Sequence, residues 1–552
     1  MIRNIFSKLF NKKLNCVLVT PPILMPETFY TATPILVGQL LSNGFSARSF
    51  DLNIKFFRKI LTIDYINKTK KLLESKNIPY DKENVDYIIQ NLETALNTFS
   101  ITYQDSEGYD EANNVLKSAL SFISSPYKSF LLDRLDGFDC CFKTFDYSYK
   151  KLKELTFDEN ENIFIPFFKE VINELKNQKI DFIGITIPFP ATLIPAFTFA
   201  RLLKENTKIH VSLGGALLTE KNVKANPEIF DIYCDTVLIG DGEESICALV
   251  DALENKKKLE NVSGIIFKKN KNKIISVKPA PITSYKNISN LSLEGICFSD
   301  YLKKDPSIHM MISKGCYWGK CKFCGIALKY PRYCIQSVEQ VISQIKDIKT
   351  KYPGTFFFNF QDDALHPNYL SLLADALIKE NLNINYFVFA RFEKEFTKEL
   401  FEKLYKSGLR AIFWGLESGC QSVLNAMNKG VDLNIVTQIL KDSYELGINN
   451  MTAVIINFPT ETMEEYDETV KFISTIKQYA TISPGNFTVM KDSVIEKEHE
   501  KYNVELIGSN DFSYDYNWNN KNMSYSIREE KWNHFCKFIK EGEYVIDYNK
   551  EI

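Results

Sequence analysis

Three closely spaced cysteines carry the plainest chemistry in this sequence: Cys316, Cys321 and Cys324, within Ser313-Lys-Gly-Cys-Tyr-Trp-Gly-Lys-Cys-Lys-Phe-Cys-Gly325. The spacing Cys-x4-Cys-x2-Cys places three thiolates in one short loop, after an apolar run (His309-Met-Met-Ile312) that reads as a strand. Gly315 and Gly319 let the backbone fold around a guest, and thiolates select soft metals. A 4Fe–4S cluster normally takes four thiolates, so three leave one iron open to another ligand. A structural zinc site is the competing reading, with Cys334 joining Cys316, Cys321 and Cys324. Core packing explains three cysteines beside two glycines poorly, and disulfides do not suit a large chain without a secretion signal.

Further reactive groups recur downstream at regular intervals. Asp362 and Asp363 end the segment Phe358-Asn-Phe-Gln-Asp-Asp. Two adjacent carboxylates suit metal binding, acid–base work or hydrogen bonds to an amine or ribose; a helix cap before Pro367 explains only one of them. Arg391 and Glu393 follow the next apolar run, then Glu417 and Ser418, then Pro459-Thr-Glu-Thr462, whose Thr462 is placed to cap a helix.

These groups need a scaffold, and the alternation of apolar runs with helical patterns supplies one. Strands are expected near 308–313, 355–360, 384–390, 410–415, 451–457 and 484–490. Helices are expected near 337–350, 367–380, 396–407, 420–446 and 463–479. Six such steps suggest a partial α/β barrel with its chemistry at the carboxyl ends of the strands, where the cysteine loop and the later polar groups all fall.

The first half shows a second alternation. Asn15–Thr20, Ser46–Asp51, Ile180–Thr186, Ile209–Leu213 and Thr236–Ile239 read as strands of a doubly wound, Rossmann-like parallel sheet. Ligands bind such sheets at the carboxyl edge, which here carries Pro21, Gly214, Gly215 and Gly240. Residues 56–175 interrupt the sheet with helical periodicity and carry no motif; the adjacent Cys140 and Cys141 are read as packing. Residues 260–300 suggest a small hairpin and connector, and those after 491 an irregular, aromatic-rich cap or tail. The expected domains are 1–285, 305–490 and 491–552.

Residues 307 to 490 resemble the radical SAM superfamily through the cysteine loop with Phe323 before its last cysteine, Asp362-Asp363, Arg391, Gly415-Leu-Glu-Ser-Gly419, Lys429-Gly430 and Pro459-Thr-Glu-Thr462. The first half is similar to the cobalamin-binding-type domain of one of its subfamilies, through Val17-Leu-Val-Thr-Pro-Pro22, Leu213-Gly-Gly215, Gly240-Asp-Gly-Glu243 and Gly264-Ile-Ile-Phe267. This resemblance implies a 4Fe–4S cluster on Cys316, Cys321 and Cys324, with S-adenosylmethionine on the open iron. It places Phe323 and Ile326 on the adenine side and Asp362, Asp363, Arg391, Glu417 and Ser418 among the polar contacts. Pro21, Gly214, Gly215 and Gly240 then face cobalamin.

The implied activity is reductive cleavage of S-adenosylmethionine, leading with cobalamin-dependent methylation of an unactivated carbon. The alternatives are a cobalamin-free cyclisation or rearrangement of a peptide or small molecule, and a non-catalytic iron–sulfur scaffold or sensor. A reduced flavodoxin- or ferredoxin-type donor is implied as a partner. Three positions depart from the family pattern: the usual Cys-x3-Cys step is one residue longer, Asn457 replaces a glycine, and no Asp-x-His-x-x-Gly follows the first strand.

Composition narrows the setting. Across 552 residues, 45% hydrophobic and 25% charged, 67 basic and 69 acidic side chains leave a net charge of −2, which offers no reason for a nucleic-acid partner. No apolar run approaches the ~20 residues of a membrane-spanning helix. The basic, amphipathic start Met1–Lys13 reads as a helical lead-in. Twelve cysteines and no evident signal peptide lead to the expectation of a cytoplasmic protein.

Overall fold

A computed structural model describes residues 13–541 except 103–106, 136–140, 272, 280–288, 327–332, 355–356, 508–510, 514 and 521–522. The amphipathic start up to residue 12, Cys140 and Tyr514 therefore lie outside the described residues. The chain divides into two compact units: Met1–Ile282 with Asn287–Pro306 and Asn510–Ser513, and Ser307–Ser509 with Thr283–Lys286 and Tyr514–Ile552.

The first unit is built on a seven-stranded sheet of β1 (Asn15–Thr20), β2 (Ser46–Asp51), β3 (Phe182–Thr186), β4 (His210–Gly214), β5 (Thr236–Leu238), β6 (Ile265–Asn270) and β7 (Lys273–Ser276), in the order β2-β1-β3-β4-β5-β6-β7. Strands β1 to β5 are mutually parallel. Cys16, Val17, Leu18 and Val19 in β1 are all buried, as a strand covered on both faces requires. The hairpin expected near 265–276 is part of this sheet: β6 pairs antiparallel with β5, Thr236 opposite Phe267.

Among the described residues, six helices separate β2 from β3: Leu52–Ile60, Ile63–Ser75, Lys82–Ile101, Tyr109–Ser124, Tyr149–Phe157 and Phe164–Lys176. The chain turns directly from β2 into the first of them because Asp51 accepts the N–H groups of Asn53 (2.9 Å) and Ile54 (3.1 Å). Phe56 packs on Phe164 and Phe167 at ring separations of 4.9 and 5.4 Å, closing the insertion on itself.

The second unit contains six parallel strands, β8 (Ile308–Met310), β11 (Phe357–Phe360), β12 (Asn385–Ala390), β13 (Leu409–Glu417), β14 (Asn449–Ile456) and β15 (Thr481–Asn486), ordered β15-β14-β13-β12-β11-β8. Between β8 and β11 lies a two-residue antiparallel ladder of β9 (Ser313–Lys314) and β10 (Cys334–Ile335). Helices Val338–Lys351, Pro367–Lys379, Lys398–Ser407, Leu433–Glu445 and Met463–Ile476 alternate with the strands. Thr462 caps the last of these with its side chain on the Glu465 N–H (3.2 Å), as its sequence context suggests.

Two expectations change. The single helix over 420–446 is two, Gln421–Ala426 and Leu433–Glu445, because Asn428 (φ 54°) and Gly430 (φ 71°) turn left-handed between them. The segment after 491 is not irregular. It contributes β17 (Val504–Ile507) and β18 (Asp515–Asn520), which form an antiparallel sheet with β16 (Val489–Met490), and a 17-residue helix, Tyr525–Glu541. Trp518 of β18 packs with Phe458, Phe487 and Tyr502, so it belongs to the core of this unit.

Candidate functional site: a cysteine loop at the barrel's carboxyl edge

The cysteine loop leaves β8 through a clamped neck. Oδ1 of Asp362, just past β11, accepts hydrogen bonds from the Ile312 N–H (3.1 Å), the Ser313 N–H (2.5 Å) and the Ser313 hydroxyl (2.6 Å). The Gln336 N–H closes the neck onto the Ile312 carbonyl at 2.9 Å. Asp362 is 2% exposed, and burial holds its carboxyl up to about 7 against the pull of those hydrogen bonds. Asp363 beside it is exposed. Cys334, the fourth thiol of the zinc reading, is a neck residue opposite Lys314.

Cys316, Cys321 and Cys324 are free thiols, each partly exposed. They stand near enough to act on one another electrostatically: Cys316 and Cys321 both raise Cys324, and Cys316 raises Cys321. Burial is the larger cause in both cases and pushes Cys324 up to about 11, with the Ile326 N–H on its sulfur (3.4 Å) opposing it. Lys429 and Arg391 pull Cys321 back down. Among the described residues no group of three or more His, Cys, Asp or Glu side chains converges as one metal ion would require. A cubane imposes no such convergence, since each thiolate takes a different iron. Three free soft donors in one loop, with two basic side chains beside them, fit an anionic cluster of that kind.

The later strand ends surround this loop with locked polar side chains. After β12, Arg391 is 3% exposed; its Nη2 donates to the Lys429 carbonyl (2.6 Å) and its Nε to Glu393 (3.3 Å). Its Nη1 is buried without a hydrogen-bond partner among the described residues. At the end of β13, Glu417 adopts φ 74° where the pairing with β14 slips, and binds Lys429 Nζ at 2.7 Å. Ser418 is directed elsewhere: its hydroxyl meets Thr469 (3.0 Å) and accepts the Cys420 N–H (3.1 Å), which fixes the following turn.

Past β14, Asn457 has φ 69°, a left-handed conformation that asparagine tolerates in place of glycine. Its N–H binds Glu461 (3.1 Å), and Glu461 pairs with Lys531 of the Tyr525–Glu541 helix at 2.5 Å, both side chains buried. Phe323 packs against the cluster of Phe458, Phe487 and Trp518. Sequence reasoning missed Lys531, because nothing local marks it, and gave Lys429 no partner, although Lys429-Gly430 was visible as a motif.

Strand register defines the barrel interior. His309, Asn359, Phe387 and Ala411 share one row, and Phe389, Phe413 and Met451 the next. The alternate residues, such as Phe358, Tyr386, Ile412 and Trp414, are wholly buried under the helices. The lower interior is aromatic, with Phe389 5.0 Å from Phe387 and 5.4 Å from Phe413. The charged side chains stand above it, at the strand ends.

The first unit's strand edge is different in kind. Gly215 follows β4 with φ 119°, and a Cβ there would lie 2.5 Å from the Ile187 carbonyl oxygen. At Gly214 a Cβ would meet only Leu238, at 3.6 Å. Gly240 is exposed past β5, and Pro21 is buried past β1. This edge brings backbone to the surface at its glycines, beside the carboxylates of Asp51, at the end of β2, and of Asp241 and Glu243, after β5.

The Radical SAM superfamily profile matches residues 310–473. An uncharacterized methyltransferase of Pyrococcus horikoshii is 28% identical over 316 residues, covering 55% of this chain and 66% of that protein, just under two thirds. The cobalamin-dependent S-adenosylmethionine radical enzyme OxsB, solved with aqua-cobalamin and S-adenosylmethionine, superposes with a TM-score of 0.63 at 13% identity, over 97% of this chain and 67% of that one. The radical S-adenosylmethionine methyltransferase TsrM of Kitasatospora setae, solved with cobalamin and a 4Fe–4S cluster, gives a TM-score of 0.56 at 13% identity, over 90% and 81%. Residues 310–473 thus carry a radical SAM domain, and the chain shares its fold with solved radical SAM enzymes that hold cobalamin.

Proposed function

We propose that the protein is a cobalamin-dependent radical SAM methyltransferase acting on an unactivated carbon of a small-molecule or peptide substrate. The observation that carries this reading is the pairing in one chain of a cysteine loop at a barrel's carboxyl edge with a glycine-lined sheet edge. Similarity to proteins named as methyltransferases supports the choice of reaction.

Cys316, Cys321 and Cys324 would hold the cluster. When bound together, a 4Fe–4S cluster and S-adenosylmethionine supply one-electron cleavage of a carbon–sulfur bond and a radical able to take hydrogen from carbon. The chain's own groups prepare that place. Lys429 and Arg391 favour negative charge at Cys321. The unpartnered Nη1 of Arg391 is a donor for the cofactor's carboxylate, and exposed Asp363 an acceptor for its amine or ribose hydroxyls. Ile326 lies on the adenine side. The aromatic rows of Phe387, Phe389 and Phe413 exclude water below the reacting groups.

Pro21, Gly214, Gly215 and Gly240 would face cobalamin. Residues 21–31 contain no histidine, so the cobalt would have no histidine ligand from this loop. That absence is also what favours the second reading, a cobalamin-free cyclisation or rearrangement. A reducing, cytoplasmic setting with a flavodoxin- or ferredoxin-type donor suits a protein whose eleven described cysteines are all free thiols. Among the described residues no helix is long and apolar enough to cross a membrane. The test is to purify the protein from cells supplied with cobalamin: retention of about one cobalamin per chain, seen in its visible absorption, is expected. Purified protein that takes up the iron–sulfur cluster but no cobalamin would move the assignment to the second reading.

A further inference from the structure

The cysteine loop has one residue more than the usual family spacing, and the structure shows what holds the added length. The intervening residues are Tyr317, Trp318, Gly319 and Lys320. The Trp318 indole N–H donates to the Asn428 carbonyl at 2.9 Å, and the Asn428 side-chain amide donates back to the Lys320 carbonyl at 3.1 Å. Two residues on, the Lys322 N–H binds the Met427 carbonyl at 2.9 Å. The Trp318 ring lies 4.5 Å from the Arg391 guanidinium carbon, and the same Arg391 binds the Lys429 carbonyl. On the other side the Tyr317 hydroxyl donates to Glu393 at 3.0 Å.

The turn that receives the loop is shaped for it. Asn428 and Gly430 are both left-handed, and a Cβ on Gly430 would stand 2.2 Å from the Trp318 ring. Gly430 thus meets two demands at once, a backbone conformation and the close approach of an indole. This is also why the expected long helix over 420–446 breaks here.

We propose that the Met427–Gly430 turn is a dock for the lengthened cysteine segment, with Trp318 as the positioning residue that fixes where Cys316 and Cys321 stand. An added loop residue brings backbone freedom that contacts must remove if three thiolates are to meet a preformed cluster. The Trp318 stack, with hydrogen bonds on both flanks, removes it. Arg391 is held by the same stack, so the dock sets the guanidinium and the thiolates together. The inference rests on the cluster reading above.

The test compares anaerobically reconstituted Trp318→Ala, Trp318→Phe, Gly430→Ala and Asn428→Gly with wild type, by iron release to a chelator and by the electron paramagnetic resonance spectrum of the reduced protein. Trp318→Ala and Gly430→Ala should release iron roughly 5-fold faster or more, with an altered spectrum. Trp318→Phe keeps the ring and loses the N–H, so it should fall between them and wild type. Asn428→Gly keeps the left-handed backbone and loses only the Lys320 bond, so its acceleration should be the smallest. If Gly430→Ala does not fold, the two Trp318 variants and Asn428→Gly, which leave the turn's backbone intact, decide the matter. Wild-type release and spectrum in Trp318→Ala would overturn the dock alone. A wild type that takes up no cluster would overturn the reading beneath it.

Discussion

The two units place their candidate sites on the same kind of edge, the carboxyl ends of parallel strands, yet furnish it in opposite ways. In the first unit the edge carries Pro21, Gly214, Gly215 and Gly240, and at Gly215 the Ile187 backbone leaves no room for a side chain. In the second, each successive strand end carries a buried charged side chain already engaged: Asp362 on the loop neck, Arg391 on Lys429 and Glu393, Glu417 on Lys429, and Glu461 on Lys531. A glycine-lined edge lets the backbone itself come close to a ligand. An edge filled with paired charges holds a small reactive group at fixed positions, because buried polar groups with satisfied partners tolerate little displacement.

The largest expected effect tests the charged edge at its centre. Alanine in place of Cys316, Cys321 or Cys324 should abolish iron and sulfide uptake outright, whereas Cys334→Ala, a change in the neck ladder, should retain the cluster; a lost cluster in Cys334→Ala would restore a four-thiolate site. Next comes the buried pair. Lys531→Met leaves Glu461 buried without its cation and should cost about 3–5 kcal/mol in denaturant unfolding, most of it recovered by adding Glu461→Leu. An exposed-like cost below ~1 kcal/mol would mean the pair is not buried in solution.

The glycine edge yields a smaller and more selective effect. Gly215→Ala forces a side chain into left-handed backbone against the Ile187 carbonyl and should cost about 1–3 kcal/mol. Gly214→Ala meets only ordinary contact and should leave stability within about 0.5 kcal/mol while reducing cobalamin retention. Equal stability for the two would contradict the geometry described for this edge.

A further effect is a pH dependence. Burial holds Asp362 near pH 7 in the folded chain, and the unfolded value is about 3.9. Between those values the folded state binds the proton more tightly, so its contribution to stability is full at acid pH and declines as pH rises to about 7. Asp362→Asn should flatten that window in thermal unfolding measured across it.

Much of this architecture was legible in the sequence because period and punctuation carry it: buried runs such as Cys16–Val19, and glycine or proline at the strand ends. The residues that reach across the fold were not. Asp362 reads as a ligand contact from its place at a strand end, but its hydrogen-bond partners lie 49 and 50 residues away, in the loop neck. Asn457 reads as a departure from glycine, yet its φ of 69° shows the glycine's backbone role preserved. Lys531 sits in a polar stretch that reads as irregular, and only the folded chain shows its helix and its burial against Glu461. Trp318 was visible as an aromatic within the cysteine spacing, but its partner turn at 427–430 has no local signature beyond a glycine.

The most direct measurement of the central claim is 5′-deoxyadenosine formation. The protein is reconstituted anaerobically with iron and sulfide, reduced, and given S-adenosylmethionine. The account expects 5′-deoxyadenosine from wild type and none from Cys321→Ala. A wild type with a spectroscopically intact cluster that forms no 5′-deoxyadenosine would contradict it.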